Sequence, residues 1–130
     1  METKTQEKIT PTPVETALNP FEGLALSVNS AVTASERLVR DNHNSSDYSI
    51  LMIALGAIQI WTVKASQIYN KDVRDMIRAL DMALEILEKF VQGEDEDHPG
   101  QLHELVEAGD TLLVKASRLV DLMKHKYGAV

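Results

Sequence analysis

Residues Ile50 to Val63 read ILMIALGAIQIWTV, and this run limits what the chain can fold into more than any other feature. Only Gln59 and Thr62 are clearly polar, and Gly56 adds a bare patch. A helix that is apolar nearly all round has to be covered on several sides. The run is too short for an ordinary membrane span, which needs about 20 residues, and it is flanked by Asp47 and Lys64. Two placements satisfy it: the centre of its own domain, or a position where part of it packs against another subunit.

The rest of the chain also reads as helix. Asn19-Pro20-Phe21-Glu22 combines a capping residue, a proline suited to the first helical position and a glutamate three residues after the cap. Phe21, Leu24, Val28, Ala31, Val32, Ser35, Leu38 and Val39 then recur at helical spacing. The polar stretch Asp41 to Ser46 is a loop in which Ser45 or Ser46 can cap the second helix. Val73, Met76, Ile77, Leu80, Leu84, Leu87 and Val91 form the stripe of a third helix, which Gly93 stops. Leu102 to Tyr127 carry the longest stripe, opened near Pro99 and closed at Gly128. No convincing period-2 strand appears.

The sequence therefore predicts an all-α four-helix bundle with helices at roughly 20–41, 47–69, 71–92 and 99–127. Between the second and third helices neither Gly nor Pro marks a break, so one continuous helix over about 47–92 is the alternative. Residues 1–18, rich in Thr, Glu, Lys and Pro, read as a flexible tail, and 19–130 as one domain. No apolar h-region opens the chain, so no secretory signal peptide is expected.

Val63-Lys64-Ala65-Ser66 and Val114-Lys115-Ala116-Ser117 share four letters, and Val32-Thr33-Ala34-Ser35 nearly repeats them. Their register places Val, Ala and Ser on or beside the buried stripe, with Thr33, Lys64 and Lys115 pointing outward. Small residues let helices approach, and Ser can return its hydroxyl to a carbonyl one turn back. The rival reading has Lys64 and Lys115 converging on a small anionic ligand held between subunits.

The net charge of −7 opposes a phosphate backbone, and no basic stripe overrules it, so no double-stranded nucleic acid partner is expected. The absence of cysteine excludes a disulfide scaffold, a Cys-based zinc finger and a thiol nucleophile, and fits a cytoplasmic protein. His103 and Glu107 lie four apart on one helix, a spacing that can offer two metal ligands; Asp121 and His125 repeat it. Helices 1 and 2 supply no inward carboxylate to complete a di-metal site, so neither a metal nor a cofactor is expected. The acidic loop Glu94 to Asp97 lacks the ligand pattern of an EF-hand. No Gly-x-Ser-x-Gly elbow, phosphate-binding glycine loop or dinucleotide fingerprint is present. A phosphotransfer histidine would be His103 or His125, without the flanking Lys-Gly.

Arg118, His125 and Tyr127 follow one another along the last helix. Over ten residues this resembles the Arg-x(4–6)-His signature of HEPN-type ribonucleases, small helical bundles in some of which the His is followed by x-Tyr. The resemblance implies a phosphate-binding role for Arg118 and a place at the cleavage site for His125 and Tyr127. It departs from the pattern at Leu119, where those families usually carry a polar residue, and Tyr127 also fits the core stripe.

These readings favour a non-enzymatic, acidic helical protein acting through homo-oligomerisation and protein–protein interaction, as a regulator, adaptor or inhibitor. The expected assembly is a dimer with Ile50, Ile53, Ala57, Ile60 and Trp61 at the interface, and no membrane partner. A HEPN-like ribonuclease or its inactive relative, and an anion-sequestering protein, are the alternatives.

Overall fold

A computed structural model describes residues 19–41, 44–68, 70–93 and 99–128. The expected tail over 1–18, the acidic loop Glu94 to Asp97, and His43 and His98 lie outside the described residues. Four helices follow in chain order, and no strand occurs among the described residues: α1 (Pro20–Arg40), α2 (Ser45–Ala65), α3 (Lys71–Gln92) and α4 (Pro99–Met123). A π-helical turn, Lys124–Gly128, extends α4. The all-α four-helix expectation holds.

Local signals explain most boundaries. Asn19 caps α1 through a complete capping box: its Oδ1 accepts from the Phe21 amide at 2.8 Å, and Glu22 returns to the Asn19 amide. Gly93 closes α3 in the left-handed region, φ 66°, where a side chain would be strained. The second helix differs from expectation at both ends. Asn44, not Ser45 or Ser46, is its cap, with Oδ1 accepting from the Asp47 amide at 3.1 Å. The helix stops at Ala65 rather than near 69, where Ser66 to Ile68 turn the chain and Asn70 caps α3. α2 and α3 are therefore separate helices, and the continuous alternative is excluded.

Two helical hairpins build the bundle. α1 packs on α2, α3 packs on α4, and the pairs join through α1 and α4. α2 and α3 touch only lightly, and α2 shares no contact with α4. The core is aliphatic around Phe21 and Phe90, with Leu24, Leu38, Leu51, Ile58, Met76, Leu80, Leu87 and Leu113 fully buried. Tyr48 of α2 stacks on Phe90 at 4.9 Å, and Gln59 donates to Glu88; both contacts tie α2 to α3.

This topology corrects one of the two placements allowed for the apolar run. α2 is not the central helix. It lies at an edge with α1 as its one extensive neighbour, burying Leu51, Ala54, Leu55, Ile58, Thr62 and Ala65.

Candidate functional site

The outer face of α2 follows directly from that position. Ile53 is 75% exposed, Val63 65%, Ile60 61% and Met52 55%, and Ile50 is exposed too. Ala57 is half-buried beside them, and a Cβ added at Gly56 would meet no atom within 4 Å. Leu26 of α1, 63% exposed, extends this face across the α1/α2 junction. There a shallow groove runs between the helices, floored by the small residues Ser27, Ser30, Ala54 and Ala57. From the area equivalent of burying one aliphatic side chain, these six large residues leave on the order of 400 Å² of apolar surface in water. That is within the size of the largest apolar patch on a typical monomer, which is often functional.

The groove is polar at one end. Asp47 is buried in the first turn of α2, where the helix dipole favours a carboxylate, and Arg37 lies 3.6 Å from its Oδ1. Asn29, Thr33 and Arg37 of α1 line this end beside Ile50. At the other end Trp61 lies across Gly23, whose missing side chain leaves room for the indole; a Cβ there would fall 2.2 Å from the ring. Lys64 extends over the same indole, 5.5 Å from the centroid. Trp61 is thus half-buried against its own α1.

Five interface candidates from the sequence, Ile50, Ile53, Ala57, Ile60 and Trp61, sit on or beside this one face. Leu26, Met52, Gly56 and Val63 belong to it as well. Leu26 had a signal: a leucine off the α1 stripe, two positions after Leu24. Asp47 carried none, because its burial depends on Arg37 of the neighbouring helix.

The other candidates are not gathered into one site. Lys64 and Lys115 stand on α2 and α4, which share no contact, so one chain does not bring them together. His103 and Glu107 are both exposed, and no group of three or more His, Cys, Asp or Glu among the described residues could hold a metal ion. Arg118 is exposed on α4. His125 and Lys126 line a groove with Asp72, Asp75, Leu119, Leu122 and Met123, and Arg118 lies outside that lining. Tyr127 packs at the core edge, its ring 5.3 Å from Phe21, while its carbonyl accepts from Asn19 Nδ2 at 3.0 Å. Lys126 pairs with Asp72 at 3.7 Å. The π-turn thus clasps the start of α1 and the start of α3 to the end of α4.

The repeated Val-x-Ala-Ser segments resolve as packing. Ala34, Ala65 and Ala116 are buried, and Ser35, Ser66 and Ser117 each donate to the valine carbonyl three residues back, at 3.1, 2.6 and 2.6 Å. In the α2 copy Val63 and Ser66 are exposed, against expectation, because the helix edge there has no neighbour. The Ser35 hydroxyl shares its one proton between the Val32 carbonyl and Asp110 Oδ1, the nearer acceptor at 2.5 Å, linking α1 to α4. Burial raises the Asp110 carboxyl above its ordinary value; the Ser35 hydrogen bond opposes this and nearby Glu36 adds to it.

α2 is long and apolar enough to cross a membrane, by length and composition alone; the expectation from the 14-residue run was too narrow, since the helix spans 21 residues. A third of its most apolar stretch is buried inside the bundle. No family model, no curated protein and no solved structure matches the chain.

Proposed function

We propose that this protein is a non-enzymatic binding module that acts through homo-oligomerisation and protein–protein interaction, as a regulator, adaptor or inhibitor. One observation carries the reading: α2 has a single extensive neighbour, yet its outer face is as apolar as its inner one. An exposed aliphatic row on a packed helix gains about 0.8 kcal/mol per CH₂ when another surface covers it. The convergence of polar groups that a catalytic pocket needs is weakest at this face, whose large residues are all aliphatic or Met. The net charge of −7 suits a basic protein partner more than an anionic membrane, and the lack of cysteine is consistent with a cytoplasmic setting.

The test uses exposure. Ile53 and Ile60 are more than half exposed, so Ile53→Asp and Ile60→Asp are expected to leave the fold intact by circular dichroism and to dissolve the assembly. Both variants folded with unchanged assembly mass would remove the outer face of α2 from the interface.

A further inference from the structure

Six positions along the outer side of α2 form a palindrome in spacing, with the exposed Met52 beside it. Reading from its N-terminus, the face presents Ile50, Ile53, Gly56, Ala57, Ile60 and Val63. Reading from its C-terminus, the same spacing meets Val63, Ile60, Ala57, Gly56, Ile53 and Ile50. A helix with this pattern matches a second copy of itself running the opposite way. A two-fold axis between Gly56 and Ala57 sets Ile53 against Ile60 and Ile50 against Val63, twice each. We infer that two copies of this chain pair through α2 in antiparallel orientation, crossing at Gly56 and Ala57. The inference rests on α2 being the interaction face and names both its occupant and its geometry.

Three further observations single out a second copy. First, Ile50-Ile53-Ala57-Ile60 and Ile53-Gly56-Ile60-Val63 both step by three, four and three residues, the spacing of a coiled-coil seam, on a face that the other described helices leave largely exposed. Second, Gly56 sits in the middle of that seam, and a Cβ placed on it would have nothing within 4 Å. Inside the monomer it meets no steric need, whereas at a helix crossing it lets two backbones come close. Third, charge favours this face over every other for self-association. Each chain carries a net −7, which repels its copy, but the six palindromic residues are uncharged. An interfacial lipid-binding helix would carry Lys and Arg along its polar side, and α2 has Lys64 alone. With the neighbouring Leu26 and Met52 included and doubled by symmetry, the patch reaches on the order of 800 Å², and the rim has to supply the rest of the roughly 1,000 Å² expected of a specific interface.

The absence of cysteine makes the geometry directly readable, because any introduced thiol is the sole one. The full chain is prepared with Gly56→Cys, Ile50→Cys or Val63→Cys, oxidised mildly, and run on a denaturing gel with and without reductant. Antiparallel pairing is expected to give a covalent dimer as the major species for Gly56→Cys, where the two thiols meet near the axis. Ile50→Cys and Val63→Cys are each expected to stay monomeric on the gel, because like residues lie far apart; mixed together, they are expected to cross-link. Cross-linking of Ile50→Cys alone would overturn the antiparallel geometry and keep α2 at the interface. No cross-link for Gly56→Cys in a chain that light scattering shows to be dimeric would overturn the crossing at Gly56, and an unchanged mass for Ile53→Asp would then remove α2 from the interface as well. A monomeric wild-type chain would overturn the pairing of two copies and the homo-oligomerisation it rests on, leaving the α2 face only for a different protein partner.

Discussion

α2 and α3 are nearly equal in length, 21 and 22 residues, yet they treat water in opposite ways. α3 sorts its residues: Val73, Met76, Leu80, Leu84, Leu87 and Phe90 face the core, while Arg74, Asp75, Arg78, Asp81, Glu85 and Lys89 face out. Met82 is its one large apolar exception among the described residues. α2 keeps Leu51, Leu55 and Ile58 inside, but places Ile53, Ile60 and Val63 outside. The difference teaches that apolar content does not measure burial. Position in the bundle does, and α2 stands at an edge, packed extensively on α1 and only lightly on α3, so its outward side is left exposed.

The comparison breaks most visibly in the core. Phe90→Ala on α3 removes a fully buried ring stacked on Tyr48 and is expected to cost about 3–5 kcal/mol in urea unfolding. Ile53→Ala on α2, measured at a concentration where the chain is monomeric, is expected to cost less than about 0.5 kcal/mol. Equal losses would mean that the outer face of α2 is packed within one chain.

Three helical glycines sharpen the contrast. At Gly23 a methyl group would overlap the Trp61 ring, and at Gly109 it would come within 2.5 Å of the Leu87 side chain. Gly23→Ala is expected to destabilise the fold by about 1–3 kcal/mol and to red-shift the emission of the single tryptophan as it loses its seat. Gly56→Ala is expected to do the reverse in the monomer, adding up to about 1 kcal/mol, because alanine favours helix and nothing opposes its methyl group. A destabilised Gly56→Ala monomer would show a neighbour at that position that the bundle does not contain.

The smallest effect concerns the α1–α4 contact. Asp110 has a raised carboxyl, mainly through burial, so the folded chain holds that proton more tightly than the unfolded one. Its favourable contribution is therefore complete below the ordinary value of 3.8 and is lost as pH rises through the folded value. Asp110→Asn, which keeps an acceptor for Ser35, is expected to match the wild-type melting temperature near pH 3 and to exceed it by about pH 6. An identical difference at both pH values would assign no linkage to this group.

Where the sequence was informative, the signal was local. The Asn19 capping box, the Gly93 stop and the α3 stripe each depend on residues within a turn or two. The first two appear as expected, and the stripe does so except that Phe90, not Val91, is its buried end and Ile77 is half-buried. The start of α2 was displaced because Asn44, Ser45 and Ser46 are all competent caps, and only the packing of the helix chooses among them. Its early end at Ala65 had no glycine or proline to announce it. The placement of α2 at an edge was illegible for a stronger reason. It depends on which helices pair, and the fit of Trp61 over Gly23 joins residues 38 positions apart. The candidate face was half legible: its isoleucines stood out as an excess of apolar residues, while the exposure that makes them a site came only from the fold.

Molar mass by light scattering after size exclusion, over a range of concentrations, tests most directly whether the face of α2 is covered by another copy. The expected result is a species of twice 14.4 kDa or more that dissociates on dilution. A mass of 14.4 kDa at every concentration would contradict it and leave the apolar edge of α2 without a partner of its own kind.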